Sequence, residues 1–88
     1  METKQTTNDL TRHINDSIIG LKQLRDEIRV NLHLAGMDAR DTWKKLETRF
    51  SHAEAAAHRA TQASREALET LLKEYRELRA QLKANHPH

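Results

Sequence analysis

Cysteine is absent from the 88 residues, which excludes disulfides and thiolate metal sites. Proline occurs once and glycine twice, so turns that need a fixed or a left-handed φ are few. Trp, Tyr and Phe occur once each. That is too little aromatic volume for a deep globular core, and too few rings to interleave with nucleobases. No apolar run approaches the roughly 18 residues of a membrane span. The segment from Met1 to Leu10 is polar and lacks the apolar stretch of a signal peptide; a cytoplasmic chain is the expectation. Neither sign of charge prevails. Fifteen Lys and Arg stand against 13 Asp and Glu, for a net +2, too small to imply a nucleic-acid partner by itself.

Catalytic and metal-binding patterns are missing as well. The six histidines are His13, His33, His52, His58, His86 and His88. No two of them stand four apart, the helical spacing that lets two imidazoles share a metal. Glu54 and His58 have that spacing, but two ligands do not make a site. There is no nucleophile motif with its base and acid and no glycine-rich phosphate loop. The expectation is a chain that is not an enzyme, with no cofactor and no resident metal.

What is present is periodicity. One apolar seam runs Leu10, Ile14, Ile18, Leu21, Leu24, Ile28, Leu32, Ala35, Ala39, Trp43, Leu46, Phe50, Ala53, Ala57, Ala60, Ser64, Leu68, Leu71, Tyr75, Leu78, Leu82. Every step is three or four residues. Twenty steps cover 72 residues, a mean of 3.6, the period of a straight α-helix. An all-α fold follows, and a helix of this length needs a partner for its stripe. Residues 1–7 read as a flexible tail, 8–85 as one helical domain, and 86–88 as a C-terminal tail, because helices stop before a proline such as Pro87.

Two turns compete. Gly36 suits a left-handed cap at a helix C-terminus, with Leu32 and Met37 in contact and Asp38 capping the next helix, so that the chain reverses near 36–38. Ser51 and Glu54 read as a capping box for a turn near 48–51. The second choice pairs large with large and small with small: Leu32 with Leu68, Ile28 with Leu71, Leu21 with Leu78, Ile18 with Leu82, Ala39 with Ala60, and Ala35 with Ser64. The preferred expectation is therefore a long antiparallel hairpin turning near residue 50. An unbroken rod pairing antiparallel with a second copy makes the same contacts. Either form is thin enough to dimerise into a coiled coil or four-helix bundle.

Two surfaces stand out beside the seam. Lys22, Arg25, Arg29, His33, Arg40 and Lys44 fall on one flank, with Asp26 and Glu47 as exceptions. The antiparallel pairing sets Lys22, Arg25 and Arg29 beside Arg76, Arg79 and Lys83, a candidate anion-binding face. Solvated helix flanks are the ordinary alternative. Nearly opposite the seam lie Ile19, Val30, Leu34 and Met37, an assembly or partner surface. With Leu68, Leu71, Tyr75, Leu78 and Leu82 from the seam they form the expected interface. Trp43 is expected in the seam.

The stretch Leu32-His33-Leu34-Ala35-Gly36-Met37-Asp38-Ala39, followed by Trp43 and Leu46-Glu47, resembles segments of small uncharacterised bacterial helical proteins of coiled-coil type. It covers under a fifth of the chain, and the resemblance implies a helical fold and no activity. The functional expectation is a self-associating structural or adaptor protein whose partner is a second copy or another helical protein. Nonspecific binding of nucleic acid, another anionic polymer or a membrane surface through the basic face is the alternative.

Overall fold

A computed structural model describes residues 2–84, with side-chain surroundings from Asp9 onward. Helix α1 spans Glu2–Asn31, α2 spans Met37–Ala56 and α3 spans Gln62–Ala84. Short 3₁₀ turns, Leu32–Leu34 and Ala57–Arg59, join them. No strand occurs among the described residues. The all-α expectation holds, but the arrangement is three helices and not one long hairpin or rod. Residues 2–7, expected as a tail, continue α1. The expected C-terminal tail, 86–88, lies outside the described residues.

The preferred turn near 48–51 is corrected outright. Thr48 to Ser51 lie inside α2, and Phe50 is buried. Leu46, Phe50 and Ala53 lie buried along one face of α2, and that burial rewards continuous helix through the stretch. The chain reverses at residues 35–36 and again at 60–61.

At the first reversal the amide of Ala35 donates to the Leu32 carbonyl at 3.0 Å. Gly36 then takes extended geometry, φ −75° and ψ 178°. It is the N-cap of α2, its carbonyl accepting from the Arg40 amide at 3.1 Å. The left-handed cap expected at Gly36 is therefore not formed. Asp38 sits in the first turn of α2, where its charge complements the helix dipole.

At the second reversal the one polar seam residue closes the turn. The Ser64 amide donates to Thr61 Oγ1 at 3.1 Å, the Thr61 hydroxyl donates to Ser64 Oγ at 3.0 Å, and Ser64 Oγ donates to the Ala56 carbonyl at 3.2 Å. Thr61 is thus the N-cap of α3. The carbonyl at the end of α2 thus gains a partner in the buried Ser64 hydroxyl.

Helix directions follow from cross-helix pairs. Lys22 meets Glu54 while Arg25 meets Glu47, so α1 and α2 are antiparallel. Arg49 meets Glu74 while Ala56 meets Ser64, so α2 and α3 are antiparallel. Glu27 meets Arg79, and Gly20 lies against Leu72, both 52 residues apart; α1 and α3 therefore run parallel. The expected pairs Ile28–Leu71, Leu21–Leu78 and Ile18–Leu82 presumed the opposite sense and are replaced.

The core is one layer deep in a body of 54 × 22 × 15 Å. Among the described residues, thirteen apolar residues and Ser64 are buried, and every one belongs to the seam. The rest of the seam is half-buried. Three segments of one stripe face each other, and each buried Leu or Ile contributes about 1.5–3 kcal/mol of transfer free energy.

Candidate functional site

The most organised polar group in the molecule joins one residue from each helix. Arg25 of α1 grips Glu47 of α2 with two hydrogen bonds, Nε to Oε2 and Nη2 to Oε1, each 2.6 Å. The Tyr75 hydroxyl of α3 donates to Glu47 Oε2 at 2.7 Å. The Arg25 guanidinium also lies over the Phe50 ring, 4.4 Å from its centroid, and Trp43 meets Tyr75 edge-on at 5.9 Å between centroids. Burial raises the Glu47 carboxyl, but the hydrogen bonds from Arg25 and Tyr75 outweigh it and hold its pKa below the ordinary carboxylate value. Burial, then the adjacent Glu47 carboxylate, push the Tyr75 phenol well above its ordinary range. The group is a clamp: its acid is ionised, its phenol is neutral, and Arg25 and Tyr75 both donate to one carboxylate inside the fold.

The six cations of the expected anion-binding face do not act together. Arg25 belongs to the clamp. Arg79 Nη1 is 2.9 Å from Glu27 Oε1, and Lys22 Nζ is 3.5 Å from Glu54 Oε2. Arg29, Arg76 and Lys83 are exposed and form no ion pair among the described residues. Arg29 adds a favourable field at Glu47. Glu47, which interrupts the basic flank in the sequence, was the available signal that the flank is partly neutralised. Its bidentate geometry becomes visible only when α2 is laid against α1.

The expected interface divides in two. Leu68, Leu71, Tyr75, Leu78 and Leu82 are buried in the chain's own core, so in this fold they are not an intermolecular surface. Three helices consume the stripe that a two-helix form would have left over. Ile19, Val30, Leu34 and Met37 remain open, with 56%, 68%, 52% and 81% of their surfaces exposed. Ile19 and Val30 lie on one line of α1, three turns apart. Leu34 and Met37 bracket the first reversal.

Clefts furrow the surface between the described helices. One, about 370 Å³, is lined by Leu32, His33, Arg40, Trp43 and Lys44. A second lies between α2 and α3, around Arg49, His52 and Thr70. A third lies between α1 and α2, around Ile14, Ile18, Ser51 and His58. Glu54 is engaged with Lys22, while His58 sits in the second turn. No group of three or more His, Asp or Glu is placed to hold a metal ion among the described residues. No described helix is long and apolar enough to cross a membrane. Comparison of the chain with family models, with curated proteins and with solved structures finds no match in any of the three.

Proposed function

We propose that this protein is a non-enzymatic helical interaction module whose partner is a second copy of itself. The observation that carries the reading is the strip Ile19, Val30, Leu34 and Met37, left exposed after the seam has been used to build the bundle. Several large apolar side chains left exposed on one small domain mark an association surface. Charge favours a second copy as the occupant. On α1 the strip is flanked by Arg12, Asp16, Lys22 and Asp26, and at the start of α2 by Asp38, Arg40, Asp41 and Lys44, all exposed. A two-fold contact sets this rim of mixed sign against itself without net like-charge repulsion.

Sedimentation equilibrium in the micromolar range tests this. The parent chain is expected to dimerise, and Val30→Glu combined with Met37→Glu to leave a folded monomer. A parent that stays monomeric and fully helical overturns the proposal.

The competing reading, an anionic polymer on the basic face, rests on Arg29, Arg76 and Lys83. Three free cations release about three counterions at most, so the log–log salt slope of any such binding stays near three rather than six. A gel-shift series at two salt concentrations tests it.

A further inference from the structure

We propose that the cleft at the first reversal is a binding site for a small amphipathic organic anion, an apolar chain or ring carrying one carboxylate or sulfonate. Its volume of about 370 Å³ falls within the range of ligand pockets. Its walls are almost entirely carbon. Leu32 and the half-buried Trp43 supply an apolar floor, and the stems of Arg40 and Lys44 supply the sides. Such stems present carbon inward and charge outward.

The charge at the rim is of one sign. His33, Arg40 and Lys44 line the cleft, and no carboxylate does. Arg40 and Lys44 make no ion pair among the described residues, unlike Lys22, Arg25, Arg49, Arg65 and Arg79. Arg40 is also held in place: its Nη2 donates to the His33 carbonyl at 3.3 Å, across the reversal. One guanidinium edge is thereby anchored to the turn. Arg40 and Lys44 stand four apart on α2, neighbours on the helix surface and both on the same side of Trp43, so both cations reach toward one anionic head. The Trp43 ring is itself braced from behind by the edge-on Tyr75, which keeps the floor of the cleft rigid. An apolar body over Trp43 with its anion toward Arg40 and Lys44 matches both the carbon walls and the two cations of the cleft.

Trp43 is the only tryptophan, so its emission reads the cleft directly. The probe is decanoate, titrated below its micelle concentration, with decanol and decyltrimethylammonium as neutral and cationic matches. Decanoate is expected to shift Trp43 emission saturably, and the two matches to bind more weakly. Arg40→Gln with Lys44→Gln should weaken decanoate by about three- to thirtyfold, the loss of two partly exposed charge contacts. Lys45→Gln, one residue on and outside the cleft, should leave it unchanged. Equal responses to all three amphiphiles, a non-saturating response, or an unaltered response in the double variant whose helicity is intact would each overturn the site. The titration is repeated on Val30→Glu/Met37→Glu. Decanoate binding that persists there supports the cleft independently of self-association, and binding lost with the dimer assigns the response to the interface and overturns the proposal.

Discussion

The Tyr75 hydroxyl donates to Glu47 Oε2 across the α2–α3 interface at 2.7 Å, onto the same oxygen that accepts Arg25 Nε from α1. One carboxylate therefore ties the three helices together, at a depth where its own burial works against its charge. Apolar packing is tolerant of sliding; this contact is not, because the bidentate geometry exists at one register only.

Glu47→Ala should cost about 2–4 kcal/mol, since it strips a half-buried guanidinium and a buried hydroxyl of their acceptor at once. Tyr75→Phe should cost only about 1 kcal/mol, because Arg25 still satisfies Glu47. Urea denaturation of the two variants measures the difference. Equal losses would mean that the Arg25–Glu47 pair adds nothing beyond the Tyr75 hydrogen bond.

Stability should fall at both ends of the pH scale. The Glu47 and Glu74 carboxyls are held below their ordinary value of 4.5 in the fold, Glu74 chiefly by its hydrogen bond from Arg49. Their contribution is full above that value and is lost as pH drops through their folded pKa values, because the unfolded chain takes up protons first. Glu74 is exposed enough that its share is small. Tyr75 has the opposite sign: its phenol is raised, so the contribution is full below 10 and declines above it, where the unfolded phenol ionises. Glu47→Gln should flatten the acid side and Tyr75→Phe the alkaline side of a stability–pH curve. A Tyr75→Phe profile that still declines as steeply above pH 10 would remove the phenol from the account.

Ser51→Pro separates the two possible courses of the chain. In the middle of α2 it removes a helical hydrogen bond and should cost about 3 kcal/mol or more. In a turn it would be nearly neutral. At the real second turn, Thr61→Ala and Ser64→Ala should each cost about 1 kcal/mol, through the lost cap and the lost hydroxyl bond to the Ala56 carbonyl. Thermal melts of the three variants check the pattern.

The two glycines should both accept a side chain. A Cβ at Gly20 would meet Leu72 Cδ2 at 3.7 Å, an ordinary contact, so Gly20→Ala should stabilise α1 by about 0.5–1 kcal/mol. Gly36 has open space and an extended φ. Gly36→Ser should raise stability by a few tenths of a kcal/mol or more, supplying the cap that α2 lacks. A loss at Gly36 would mean that the residue spends its time in a left-handed geometry after all.

The amino-acid sequence by itself determined which residues go inside. The 3.6-residue period records the face that each position occupies, and burial follows faces, so Leu21, Ile28, Phe50, Leu68 and Leu78 were all placed correctly. It also left Ile19, Val30, Leu34 and Met37 outside, where they are. The period does not record where the chain turns. The steps Leu32–Ala35–Ala39 and Ala57–Ala60–Ser64 are three and four residues long, so the seam passes through both reversals without losing phase. A turn then looks like helix, and the charged and small residues that mark it are the ones helices also carry. Only the tertiary structure decided that the stripe is cut twice, that α1 and α3 run parallel, and that Glu47 turns inward to meet Arg25 and Tyr75. Those outcomes depend on which faces meet, and helix faces meet through long-range packing that a local period cannot encode.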